Sequence, residues 1–435
     1  MVSPNSAHRQ AIDLLLASMF KTGDGFRSSF IVQRPGQPLT MSGFGAEVIF
    51  RRKELVRAAL FVRREGPAYL RYMSVDDIWS LLTTFATENY WCLLEEVFFT
   101  HFDDSYLERV SGEAKRKLTE FIASSPIFNP VEELTVFPLV PIRVGADFDS
   151  GPFFLIAPGT LNSKLPAEID AKWVVPEQFP PTAEWEGRKE TPQSWLGVRS
   201  PLLQASRKMR AAILGAVALT PLPRYRYMFS GRHMFGGRCT LADGCPLSFG
   251  EPHTPALMDD ITIGDDDHAW LSMLAAKIVA PERAIRRQMH ALEYFYRAWF
   301  LDPRERFPVL CMVLDAAFGD ANHATQAVID GVRTTVGEHV PDARLRALMD
   351  LRASVIHGGA PDVYDSRKYA RYYDSYDADP ILDLELVVTR CLRSLVFEGT
   401  MKSHPDPHAA IIQAARDRGQ FPKKFNEHTI LSEEG

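Results

Sequence analysis

Leu345-Arg346-Ala347-Leu348-Met349-Asp350-Leu351-Arg352-Ala353-Ser354-Val355-Ile356-His357-Gly358-Gly359 decides how the last third of the chain is read. Leu345, Leu348, Arg352 and Val355 recur at steps of three and four, the spacing of one helix face. The paired glycines stop that helix, because glycine takes the left-handed turn at a helix C-terminus without a Cβ penalty. Two of its residues carry chemistry. A histidine titrates near neutrality, and an arginine holds a permanent, planar, two-pronged positive charge.

Outward from this stretch the pattern is almost entirely helical from Asp265 onward. The acidic run Asp265-Asp266-Asp267 suits a helix N-terminus, and His268 to Val279 follows it. Pro281 sits where a new helix can begin. Ile285, Met289, Leu292, Phe295 and Trp299 mark one helix. Phe307, Leu310, Leu314 and Ala317 mark the next, stopped by Gly319. Val328, Val332 and Val336 mark a third. Beyond Gly359, Leu384, Val387, Val388, Cys391, Leu392 and Leu395 mark the last. Several helices with short breaks predict a bundle over 265–400, followed by a tail over 401–435.

The preceding 264 residues have a mixed texture. Ile12, Leu15, Leu16 and Met19 are spaced for a helix. Strand-like pieces lie at Phe30–Val32 and Glu47–Phe50, and helical ones over Val75–Phe102 and Glu113–Ala123. Leu134–Val144 and Pro152–Ala157 are β-branched, aromatic and broken by proline and glycine, so they predict strands. Ala171–Pro192 is aperiodic and reads as a long loop, Ser200–Leu219 as a helix, and Arg224–Leu247 and Thr254–Ile263 as extended pieces. The expectation is an α+β region over 1–264, divided near 125–200, joined to an all-α bundle.

Composition limits the function classes. Of 435 residues, 46% are hydrophobic and 24% charged, ordinary for a globular chain with two or three cores. The net charge of -6 excludes the broad positive field of a protein that coats nucleic acid non-specifically. Any RNA contact must therefore be local, or assembled from two subunits. Five scattered cysteines suit reduced thiols in a cytosol. Met1–Arg9 lacks the order of a signal peptide, and no apolar run reaches the roughly 18 residues of a membrane span. The reading is cytoplasmic, with no membrane partner.

The predicted bundle resembles the Apea-like HEPN family over about 120 of the 435 residues. The first helix is aromatic-rich, as in the family: Ala291-Leu292-Glu293-Tyr294-Phe295-Tyr296-Arg297-Ala298-Trp299. The second carries Val313-Leu314-Asp315-Ala316-Ala317-Phe318-Gly319. The signature end of the fourth is Arg352-Ala353-Ser354-Val355-Ile356-His357-Gly358. Ala353 stands where the family has serine, and Met349 where it often has tyrosine. The resemblance implies a homodimer through the bundle helices, with a composite site that cuts RNA without a metal or other cofactor. It also implies a toxin-like or antiviral-defence role, the region before the bundle sensing a trigger of unknown kind. The alternative is a non-catalytic HEPN module, a dimerising adaptor that binds RNA or protein.

The residues suit that chemistry. RNA supplies its own nucleophile, the ribose 2′-OH. A histidine can take its proton or protonate the leaving 5′ oxygen, while a guanidinium holds two phosphate oxygens. Five residues on a helix turn through about 140° beyond a full circle, so Arg352 and His357 do not share one narrow face. A second copy across a two-fold axis could bring such groups together. A structural reading stands beside this one: Arg352 pairs with Asp315 or Asp350 to hold the bundle, and His357 caps its helix. Asp315 is a candidate orienting partner or a counter-ion. Between Val363 and Asp379, Arg367, Lys368, Tyr369 and Arg371 interleave charge with aromatic rings and read as a loop. Such a loop either contacts single-stranded or tRNA-like RNA or packs its tyrosines on the bundle.

Weaker signals complete the reading. Cys239 and Cys245 flank a turn with His233 and His253 nearby, but their five-residue gap is wider than zinc sites use, and thiols without metal are favoured. Gly231–Arg238 is glycine-rich with two arginines. It lacks the Lys-Ser/Thr end of a phosphate-binding loop and reads as a β-turn.

Overall fold

The computed structural model describes residues 4–32, 44–165, 190–241, 247–320, 323–420 and 428–431. Two compact units are present, Met1–Glu132 with Ser200–Ala205, and Glu133–Arg199 with Ser206–Gly435.

In the first unit α1 (Pro4–Ser18) leads through β1 (Met19–Phe20) and β2 (Phe26–Val32) to β3 (Phe44–Phe50) and α2 (Arg52–Glu65). The strands form a three-stranded antiparallel sheet in the order β1-β3-β2. There follow α3 (Val75–Glu88), the short α4 (Leu94–Val97) and α5 (Tyr106–Arg109), and α6 (Gly112–Ser124). Ile12, Leu15 and Leu16 of α1, the inward residues expected from their spacing, are buried with Leu55 and Val62 of α2 and Leu118 and Ile122 of α6. Ser74 and Asp77 close a reciprocal cap on α3, which fixes where that helix begins.

The second unit is a sheet and helices around one core. β4 (Glu133–Leu139), β5 (Ile142–Val144), β6 (Phe148–Ser150) and β7 (Phe153–Ile156) precede β8 (Ser194–Ser200), α7 (Leu203–Val217) and α8 (Pro223–Arg226). Then come β9 (Gly236–Leu241), β10 (Leu247–Pro252) and β11 (Ile261–Ile263). Six strands lie in the order β10-β9-β4-β8-β7-β6, while β5 and β11 pair in parallel apart from them. Side chains alternate across the sheet. Phe137, Leu139, Phe153, Leu155, Leu196 and Val198 enter the core shared with the helices. Val136, Phe154, Ile156, Trp195 and Cys239 form a smaller cluster of their own.

The helical part holds α9 (His268–Ile278), α10 (Arg283–Trp299), α11 (Pro303–Phe318), α12 (Ala324–Val336), α13 (Asp342–Ile356), α14 (Arg367–Tyr376), α15 (Pro380–Phe397) and α16 (Ala409–Asp417). Met289, Leu292, Phe295 and Trp299 of α10 are buried against Phe307, Leu310 and Leu314 of α11. Asp302 caps α11 through the amides of Arg304 and Glu305, and Pro303 occupies the first turn, where its missing amide hydrogen costs nothing. α7 lies close against α10: a Cβ on Gly215 would stand 2.2 Å from the Leu292 carbonyl oxygen.

Three features differ from the sequence reading. The change of texture at residue 264 marks a change of secondary structure, whereas the core runs from Phe137 in β4 through to Ile430 without a break there. The segment Val363–Asp379, expected as a loop, contains the ten-residue helix α14. The tail is docked at several points: Met401 and Ile430 are buried, and the amide of Ile430 donates to Asp383 at 2.8 Å. Most of the expected loop Ala171–Pro192, at 171–189, lies outside the described residues, as does Cys245. No described helix is long and apolar enough to cross a membrane.

Candidate functional site

α13 carries Arg352 and His357 and contributes Leu345, Leu348 and Leu351 to the core. Arg352 lies at the margin of that apolar stripe, one-fifth exposed, and its guanidinium bonds and ion-pairs to Asp315 of α11. Of the two partners considered for it, Asp315 is the one the fold supplies. The pair is not saturated: Nε of Arg352 and Oδ1 of Asp315 are buried without a partner. Burial raises the Asp315 carboxyl above the usual range, and the Arg352 charge opposes that rise.

His357 sits at the C-cap of α13, and its own amide closes the last turn on the Ala353 carbonyl at 3.1 Å. Gly358 follows at φ +73°, and the Gly359 amide reaches back to the Ser354 carbonyl at 2.8 Å. This is the left-handed helix ending that the glycine pair predicted. The His357 ring is exposed and makes no hydrogen bond or ion pair among the described residues. The structure thus brings Arg352 together with Asp315, and leaves His357 apart from both.

Arg367, Lys368, Tyr369 and Arg371 are on α14, whose start Ser366 caps through the Lys368 amide. Arg367 and Arg371 are exposed. Lys368 is turned onto α13, donating to the Asp350 carbonyl at 2.9 Å, and Ser366 and Ser354 share a hydroxyl bond of 3.0 Å. Tyr369 packs on the core, 5.1 Å from the Tyr364 ring, and burial with the nearby Asp379 pushes its hydroxyl up to about 12. Tyr372 is buried and donates to Asp383 at 2.6 Å, while Arg344 donates to the same carboxylate at 2.9 Å. α14 is therefore bolted to α13 and α15 by an internal polar cluster. Its tyrosines divide between packing and surface, and Tyr373 is half exposed.

A second site was not legible as such. Arg207 and Arg210 of α7, Arg238 of β9 and Arg297 of α10 line a cavity of about 650 Å³ with Tyr296 and His253. His253 is not available as a zinc ligand. An arginine can only donate, so Nδ1 accepts from Arg210 at 2.9 Å, and Nε2 carries the hydrogen that meets the Gly237 carbonyl at 2.5 Å. Burial and then the Arg210 charge pull its pKa down to about 3, so the ring is neutral. Among the described residues no three His, Cys, Asp or Glu side chains are grouped as a metal site requires. The one sequence signal for the cavity was the i, i+3 pair Arg207 and Arg210 on a helix; Arg238 and Arg297 join them only in three dimensions. No protein-family model matches the chain, and neither does any curated protein or solved structure at a significant level.

Proposed function

We propose that the helical region is a metal-independent endoribonuclease of the HEPN kind, acting through Arg352 and His357, in a toxin-like or antiviral-defence role. The observation that carries it is the end of α13: an exposed His357 whose ring makes no bond among the described residues, five residues beyond an arginine already oriented by Asp315. In the reaction the ribose 2′-OH attacks the adjacent phosphorus as His357 takes its proton. The P–O5′ bond breaks, an acid protonates the leaving oxygen, and the products are a 2′,3′-cyclic phosphate and a 5′-OH end. Arg352 meets the negative charge that gathers on the phosphate oxygens. A second copy, packed through the bundle helices, supplies the second histidine and arginine. The exposed Arg367 and Arg371 of α14 are the backbone contacts on the RNA side.

One observation favours the adaptor reading instead. Arg352 already has a carboxylate partner, and a paired guanidinium is less free to take a phosphate. The two readings separate in an RNA-cleavage assay of the full chain. In a nuclease, His357→Ala lowers the rate on the order of a hundred-fold or more without loss of fold. A wild-type protein that leaves RNA intact while still binding it makes the bundle an adaptor.

A further inference from the structure

We infer that the arginine-lined cavity of the second unit binds a small ligand bearing two or more linked phosphates. Four arginines line one space of about 650 Å³, within the size range of small-molecule sites. None of Arg207, Arg210, Arg238 and Arg297 has a carboxylate ion-pair partner among the described residues. Two buried arginines of this unit are answered by carboxylates, Arg226 by Glu385 at 2.8 Å and Arg344 by Asp383, whereas the half-buried Arg210 and Arg238 are not. Converging cations without counter-ions are costly to hold in a folded chain, and an anion in the cavity relieves that cost.

The cavity wall is built as well as charged. Arg210 lies 5.3 Å from the Phe137 ring and 5.9 Å from the Tyr296 ring, and it donates to the neutral His253 at 2.9 Å. Tyr296 in turn donates to the His253 carbonyl at 2.8 Å, which fixes the ring. Nε of Arg210 and Nε of Arg238 are buried with donors unused. Burial lowers the pKa of both groups, and their like-charged neighbours lower it further: Arg207 acts on both, and Arg210 acts on Arg238. The forks of several arginines match the oxygens of linked phosphates better than those of a monoanion. The carboxylate among the lining residues, Glu251, is exposed at the rim. Phe300, more than one-third exposed, offers an aromatic face beside the charges, on which a base can stack.

The test is calorimetric titration of the full chain with inorganic pyrophosphate, with ATP and with adenosine. It is repeated on Arg207→Gln and on the double variant Arg207→Gln/Arg238→Gln. Arg207 is exposed, so its replacement leaves the fold in place, and circular dichroism verifies this for both proteins. The site binds pyrophosphate or ATP, each loses affinity at least ten-fold in the double variant, and adenosine does not compete. Equal affinity for the two phosphates identifies the diphosphate itself as the ligand, and tighter ATP identifies a nucleotide. Absence of binding by both phosphates, affinity unchanged in the folded double variant, or adenosine binding as tightly as ATP would each overturn the assignment. None of these outcomes depends on whether the chain cuts RNA.

Discussion

Arg352 is placed so that its contribution to the fold can be taken apart from the one proposed for it in chemistry. Replacing it by alanine leaves the half-buried Asp315 without its counter-charge and costs about 1–3 kcal/mol of stability. Arg352→Lys restores a charge opposite Asp315 and most of that stability, but an ammonium cannot hold two phosphate oxygens at once. Lysine is therefore expected to recover the melting temperature and only a minor part of the cleavage rate. Equal recovery of both would make the arginine a structural counter-ion alone. Glu293 of α10 offers a second test at this scale. Burial raises its carboxyl pKa to about 7, so the folded state holds a proton there that the unfolded chain releases near 4.5. Its favourable contribution is complete below pH 4.5 and is lost as the pH rises through 7. Glu293→Gln then stabilises the protein at pH 8, by about 2–3 kcal/mol at most, relative to its effect at pH 4.5. Urea midpoints at the two pH values measure this, and an identical effect at both contradicts it.

At the scale of elements, α14 shows how far the sequence could be read. Its tyrosines at 369, 372, 373 and 376 have helical spacing, and Ser366 precedes them as a cap. The dense charge between them suggested a solvated loop. What outweighed that charge was a contact distant in sequence, Tyr372 with Asp383 and Arg344, which no local pattern displays. Tyr372→Phe removes that hydroxyl from a buried carboxylate, at a cost of about 1–3 kcal/mol. Proteolysis should also become faster between residues 363 and 379, where the helix loses its anchor. A wild-type midpoint in the phenylalanine variant would place the anchor elsewhere. By contrast α10, α13 and α15 were legible from their apolar steps, and the end of α13 from its glycines, because helix burial and termination are local effects.

Across the whole molecule, the helix-rich region from 265 onward was visible as a change of texture. That it shares a core with strands beginning at Glu133 was not. Periodicity reports which face of an element is buried and is silent about what buries it. The same limit applies to Arg207, Arg210, Arg238 and Arg297, which meet only after folding. Association is the property on which the nuclease reading depends most at this scale. Because Arg352 and His357 are about 140° apart around α13, each active centre is expected to draw its pair from two copies. Arg352→Ala and His357→Ala proteins, each inactive alone, then regain activity when mixed under conditions that exchange subunits. Sedimentation of the wild type is expected to show a dimer. A monomer cutting at full rate, or mixed variants that stay inactive as verified heterodimers, contradicts a shared site.

The chemistry of the cut ends tests the central claim most directly. The full chain is incubated, with EDTA present, with an RNA and with the same sequence as 2′-O-methyl RNA, and the product termini are identified by mass spectrometry. Attack by the ribose 2′-OH leaves a 2′,3′-cyclic phosphate and a 5′-OH on RNA, leaves the methylated strand intact, and fails in His357→Ala. Cleavage of the methylated strand, loss of activity in EDTA that a divalent ion restores, or undiminished cyclic-phosphate product from His357→Ala would contradict a metal-free cut through this histidine.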